Sequence, residues 1–389
     1  MRLICLLIVC VLLGACKSTQ QLTTEELHTI KASQVVESSL TIPGPRNDKS
    51  DVKCRGRGLF RFCLPKFKTE EPKHVVYGLD QIVSPRLSGL GERFLSLADA
   101  MPLMVHMSFL HNNKNDVSAL IGMTTETDKS ALLTDSFCPE VLSYQSNQLG
   151  SCSGFMLDNT TLVTAGHCLL DSVSDKGLFN SREHPSCRHS KWVFGYSDQS
   201  INEFGKVGIS KADVYNCGRI LVAFNSERID LAFIELERPR KFKNKFELSA
   251  LIPKVGDILN AMGYPNGSPL KAVTGGAITK VEAMSFKATL DMLGGNSGSP
   301  ALNRNNKVAG MLVSGANDFV WDEERGCYQH NVCSEDTGAC TDSSNSKGET
   351  FIWWGVIKYY YDFVKWFLQN EKALENHSAE DIRALYETR

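Results

Sequence analysis

Three short stretches carry residue types that could do covalent chemistry together. "GGNSGSP" sets Ser297 among Gly294, Gly295, Asn296, Gly298 and Ser299, just after an apolar run. "TLVTAGHC" ends a strand-like run on His167, and "ERIDLAFIEL" opens another on Asp230. A serine hydroxyl is a weak nucleophile until an adjacent base takes its proton. Histidine suits that task near neutral pH. A carboxylate on the other ring nitrogen would fix the imidazole's tautomer and stabilise its charged form. Singly, the three have plainer readings: a polar turn, a structural histidine, and an aspartate at a strand start. Together they make a nucleophile, a base and an orienting acid, a set that needs no metal and no cofactor.

Such a set requires a fold that brings distant segments to one point. From about Cys138 the chain runs as short apolar segments broken by turn residues: "GSCSGFML", "TTLVTAG", "KWVFGYS", "GRILVAF", "DLAFIEL", "ILNAMGY", "AVTGGAITKV", "SFKATLDML" and "KVAGMLVSG". Their length and composition predict an all-β barrel or sandwich. Asp230 stands out among the aspartates between His167 and Ser297 because it alone opens a clean apolar strand. Two segments have helical character. "ERFLSLADAMPLMVHM" is the best early pattern, and "GVIKYYYDFVKWFLQNEKAL" puts Tyr360, Phe363, Val364 and Phe367 near one face as a C-terminal packing helix. The Trp353/Trp354 pair is expected to anchor the approach to that helix.

"TAGHC", "DLAFIEL" and "GGNSGSP", in that order, resemble the chymotrypsin-type serine proteases. "GYPNGSP" ahead of the serine, and Asn296 where animal trypsins carry Asp, are similar to the bacterial branch that contains the glutamyl endopeptidases. The likeness covers roughly residues 74 to 320. It implies two antiparallel six-stranded β-barrels with the active site in the crevice between them. It implies His167, Asp230 and Ser297 as catalytic residues, with the N–H groups of Gly295 and Ser297 as the oxyanion hole. Protein or peptide substrates follow from it. A Cys152–Cys168 disulfide beside the histidine is the familiar pairing of that family, and Cys187 with Cys217, flanking the next strand-like runs, is the second expected pair. Asp291, Leu312 and Gly315 fall where the substrate pocket is expected. Leu312 takes the place of the histidine by which glutamyl endopeptidases meet an acidic side chain, and Asp291 lies where trypsins bind Lys or Arg. Residue preference therefore stays open. With Asn296 in place of the aspartate, a new amino terminus could not form the familiar activating ion pair.

The chain has 389 residues, 42 basic against 44 acidic, and nothing in that balance suggests nucleic acid. Arg2 precedes the apolar run Leu3 to Leu13, which is too short for a membrane span but fits an export signal. "LGAC" resembles a bacterial lipobox, with Cys16 as the lipidated residue that anchors the protein to a membrane; an ordinary cleaved signal is the alternative. Lys17 in the next position favours the outer membrane. The expected organisation is a signal peptide over 1–15, a leader, pro-segment or linker over 16–73, a protease domain over 74–370 and a tail over 371–389. The expected location is the outer membrane, periplasm or cell surface of a bacterium, as a monomer.

Export reads the remaining ten cysteines as disulfides. Cys54 and Cys63 could close a small loop in the leader. "CYQHNVC" places Cys327, His330 and Cys333 at a metal-like spacing with Cys340 beyond, but in an oxidising compartment the cysteines read as disulfides and His330 as a surface loop residue. The partners of Cys138, Cys327, Cys333 and Cys340 stay open. Other functions also stay open: a catalytically silent binding or scaffold lipoprotein on a protease fold, and an acyltransferase or esterase using the same triad. "GGNSGSP" is not the G-x-S-x-G elbow of α/β-hydrolases.

Overall fold

The structure is a computed structural model that describes residues 52–55, 62–65, 76–77, 82–122, 137–138, 141, 148–315, 317–334 and 348–388. Residues 1–15, read above as an export signal, and Cys16 and Cys340 lie outside the described residues.

The first lobe is an eight-stranded sheet. Its strands are β1 (Pro102–His106), β2 (Cys152–Ser153), β3 (Phe155–Met156), β4 (Thr161–Thr164), β5 (Ser174–Ser181), β6 (Ser190–Phe194), β7 (Val214–Asn225) and β8 (Asp230–Leu236). The order is β2-β1-β6-β7-β8-β4-β3, with β5 added on β7. β2 and β3 are one extended run interrupted at Gly154, so the two ends of this path meet and the sheet curls into a ring. Counted once, that broken run makes six strands around the ring, the number expected of the first barrel.

The second lobe is a closed barrel of β9 (Ile258–Gly263), β10 (Lys271–Val281), β11 (Ser285–Ala288), β12 (Pro300–Leu302), β13 (Val308–Ser314) and β14 (Glu349–Trp353). Its order is β9-β10-β11-β14-β13-β12, and closure leaves no free sheet edge. Each lobe has an aromatic interior. Trp192 is fully buried in the first, Phe155 and Phe233 are fully buried on the outer face of its sheet, and Phe286 stacks on Phe351 in the second at 5.2 Å.

"ERFLSLADAMPLMVHM" is not one helix. Glu92–Leu95 forms a single turn, Ala98–Ala100 a 3₁₀ turn, and Pro102–His106 is strand β1. Pro102 has no N–H to give a helix, and Pro102 to Val105 are all buried against β6, which pairs Val105 with Lys191. Tertiary pairing overrides the local periodicity.

Helix α1 (Trp354–Leu374) leaves the second barrel at β14 and crosses to the first lobe. Phe363 and Phe367 pack on Phe179, and Tyr360 packs on Phe224. Arg219, almost fully buried, donates to Glu235 at 2.7 Å and to both carboxylate oxygens of Glu371. Trp353 and Trp354 fix the entry to the helix, their indole N–H groups donating to Ala283 O and Leu251 O at 3.0 and 2.7 Å. A second helix, α2 (Ala379–Glu387), follows, opened by a capping box between Ser378 and Asp381. The stretch 371–389 read as a tail thus holds the end of α1 and all of α2.

Between β13 and β14 a hairpin pairs Phe319–Asp322 with Cys327–His330. Cys327 is bonded to Cys138, 189 residues away in sequence. A loop that long is where the chain-entropy model gives the largest stabilisation, roughly 5 kcal/mol. His330 sits at the end of the second strand of this hairpin with its ring 5.3 Å from Phe319, not in a surface loop. Farther upstream, Val52–Arg55 pairs with Phe62–Pro65, with Cys54 and Cys63 as partners in the backbone register.

Candidate active site

His167 lies on a 3₁₀ turn, Gly166–Cys168, immediately after β4. Asp230 is the first residue of β8, which pairs with β4. One carboxylate holds the histidine twice: Oδ1 accepts the backbone N–H of His167 at 2.9 Å, and Oδ2 lies 2.5 Å from Nδ1. A carboxylate at Nδ1 makes that nitrogen the donor, so Nε2 of the neutral ring is left as the basic atom. The Cys152–Cys168 disulfide ties the same turn to β2. Its sulfurs and the imidazole lie within 4.8 Å of one another, but sulfurs joined in a disulfide offer no thiolate to a metal. Cys187–Cys217 joins a short helix, Pro185–His189, to β7.

Ser297 arrives from the second lobe, on the turn that leads into β12, and is fully buried. Its carbonyl accepts from Ser153 N–H at 2.8 Å, and Cys168 Sγ approaches the same oxygen to 3.9 Å. These contacts bring the serine loop against the histidine turn. Ser297 Oγ and His167 Nε2 are both buried and, among the described residues, neither has a hydrogen-bond partner.

The glycines earn their place by geometry. Gly295 has φ +83° and Gly298 φ +87°, a region that side chains resist. A Cβ at Gly295 would sit 2.5 Å from Tyr264 O, and one at Gly298 would sit 2.2 Å from Ser153 O. Four of the six N–H groups along this turn, residues 294–299, are committed. Gly294 donates to Asp318 Oδ2 at 3.0 Å, Asn296 to Leu293 O, Gly298 to Leu312 O and Ser299 to Asn296 O. Of residues 294–299, Gly295 and Ser297 are the two whose N–H groups donate to no described residue. The Gly294 carbonyl is turned toward Asn266, whose N–H it accepts. In a trans peptide the following N–H points the opposite way, so Gly295 N–H is directed away from the Asn266 turn.

Ser153 stitches the lobes together at this point. Its hydroxyl donates to Gly295 O at 2.8 Å and accepts from Tyr264 N–H at 3.0 Å, while its own carbonyl accepts from Thr164. Tyr264 is fully buried and donates to Met101 O at 2.8 Å. Burial pushes its phenol pKa up, so the hydroxyl stays a donor.

Of the expected pocket residues, Asp291 is 1% exposed between Leu290 and Met292. Leu312 is wholly buried on β13 and meets the serine loop through its backbone, accepting from Gly298 N–H and donating to Ser299 O. Gly315, just past β13, is half-buried. Ser153, Asn266 and Asp318 were not singled out in the sequence. Asn266 lies inside the quoted "GYPNGSP" and takes φ +52° there, but nothing in the types or spacing of the other two marks them.

Residues 152–311 match the family model of the trypsin-like peptidase domain, a span that contains His167, Asp230 and Ser297. A glutamyl endopeptidase from Bacillus licheniformis is 26% identical over 166 residues. That match covers 41% of this chain and 47% of the relative, so the chain spans about half the length of the curated relative it matches. A solved structure of Glu endopeptidase in complex with MPD aligns with a TM-score of 0.39 at 13% identity, covering 74% of this chain and 99% of that one. Over residues 152–311 the chain is thus similar to the trypsin-like peptidase domain.

Proposed function

We propose that the protein is a serine endopeptidase that hydrolyses peptide bonds through an acyl-enzyme formed on Ser297. The observation that carries this reading is the meeting of His167, held twice by Asp230, with a serine loop whose Gly295 and Ser297 N–H groups have no other acceptor. In the first step Ser297 Oγ attacks the scissile carbonyl carbon while its proton passes to His167 Nε2. The electron pair moves onto the carbonyl oxygen, which the two N–H groups receive. Collapse of this intermediate breaks the C–N bond, and His167 returns the proton to the leaving amine. Water then enters by the same route, with its proton taken by His167, and releases the acid and the serine. Asp230 keeps both bonds to His167 and stabilises the imidazolium between the steps.

The missing Nε2–Oγ hydrogen bond is what a silent binding or scaffold protein would also display. Such bonds are often long in unliganded enzymes and tighten on substrate, so the peptidase reading is preferred. Purified protein should cleave a mixed peptide library, and Ser297→Ala should abolish that cleavage while leaving the fold intact. Undiminished cleavage by the variant would sink the assignment. The same library would supply the residue preference.

The export reading gives the location. "LGAC" supports Cys16 as a lipidated residue that holds the enzyme to a bacterial envelope membrane, since multiple acyl chains bury enough hydrocarbon for stable attachment. The mass of the mature amino-terminal peptide tests this. An unmodified Cys16 would refute it.

A further inference from the structure

We infer that Asp318 is a positioning residue for the oxyanion donors, acting through the Gly294–Gly295 peptide. The inference rests on the peptidase reading above and adds a residue that the triad does not include. Two consecutive glycines carry no side chain to hold the peptide between them. Rotating that peptide would turn Gly295 N–H out of the cleft at little intrinsic cost. Bonds from neighbouring segments must therefore hold its orientation.

Three such bonds meet here. Ser153 Oγ donates to Gly295 O, Asn266 N–H donates to Gly294 O, and Asp318 Oδ2 accepts Gly294 N–H at 3.0 Å. The first two involve neutral groups. The third has an ionisable acceptor, and bonds to a carboxylate are about twice as strong as neutral ones. It also pins the chain upstream of the rotatable peptide, whereas Ser153 pins it downstream.

Asp318 is itself held in place. Its carbonyl accepts from Asn331 N–H at 2.8 Å, and the Asn331 side chain donates to Asn317 O at 2.9 Å. Asp318 and Asn331 close the base of the Phe319–Asp322/Cys327–His330 hairpin, whose far end is tied by Cys138–Cys327. The clamp is thus mounted on a braced element. A carboxylate near a developing oxyanion would be unfavourable if its charge faced it, but Gly294 N–H engages this one.

The test compares Asp318→Ala and Asp318→Asn with the wild type. Asp318→Ala should lower kcat roughly 10- to 100-fold, a fraction of the cost of deleting an oxyanion donor, with KM changed by less than about twofold. A peptide boronate, which forms a tetrahedral adduct on the serine, should lose affinity in step with kcat. The corresponding peptide acid should bind as before. Asp318→Asn keeps an acceptor oxygen and should retain most of kcat. The Gly294 amide should exchange with solvent faster in Asp318→Ala than in the wild type. An unchanged kcat in Asp318→Ala, a loss confined to KM, or Asp318→Asn falling as far as Asp318→Ala would overturn the clamp. Wild-type protein with no activity would fail the peptidase reading instead. The amide exchange would then still decide, with equal rates in wild type and Asp318→Ala refuting the clamp and faster exchange in the variant supporting it.

Discussion

Asp230 binds His167 through both carboxylate oxygens, one to the backbone and one to the ring, so turn and imidazole are placed together. An amide at position 230 can accept only through its oxygen, and its NH2 would face one of the two donors. Asp230→Asn should therefore leave the lobes folded but lower kcat by about four orders of magnitude, as for other triads. Steady-state turnover on a cleaved peptide measures it, and a loss of less than about tenfold would remove Asp230 from the mechanism. The convergence of His167, Asp230 and the Ser297 turn was legible because their residue types sit in distinctive local settings. Ser153 was not, because its work is done on Gly295, 142 residues away, and a serine before a strand break looks like any other. Asp318 escaped for a related reason: its partner, Gly294, is brought to it by the antiparallel pairing of β12 with β13.

The strand runs were legible for a simpler reason. β8 is apolar almost throughout because it is covered on one side by the lobe interior and on the other by α1, where Phe233 stacks with Tyr361. "PLMVH" was read with a helix because its four buried residues fit either period, and only its pairing with β6 decides. Helix α1 was legible from its apolar face, while its polar attachment was not. Asp158, in the turn between β3 and β4, accepts from Thr160 N–H at 2.9 Å, Thr161 N–H at 2.8 Å, the Tyr361 hydroxyl at 2.8 Å and Lys365 at 3.1 Å. Burial alone would raise its pKa, but these donors together hold it well below the usual carboxylate range. A depressed carboxylate adds stability above its unfolded pKa, about 4, and that contribution fades as pH falls from there toward the folded value. Asp158→Asn should cost about 2 kcal/mol at pH 7. The gap to wild type should narrow below about pH 4. Urea unfolding at pH 7 and pH 3 checks this, and a gap of equal size at both would contradict the assignment.

At the scale of the whole molecule, neither lobe carries the proposed chemistry alone. The first supplies His167, Asp230 and Ser153, the second supplies Ser297 and the two unpaired N–H groups, and α1 crosses from the second to the first. The Cys152–Cys168 bond sits under the histidine, and Cys138–Cys327 braces the hairpin that carries Asp318 at its base. The second of these pairings could not be read from the sequence, since it joins residues 189 apart that only the fold brings together. The central claim is that the two lobes together activate one serine. A fluorophosphonate reports this directly, because it reacts with an activated serine hydroxyl and leaves a stable covalent mass. The wild-type protein should gain one adduct, mapped by peptide mass spectrometry to Ser297, at a rate that falls sharply in His167→Ala and to nothing in Ser297→Ala. No adduct on folded wild-type protein, or an adduct formed equally well without His167, would contradict the account.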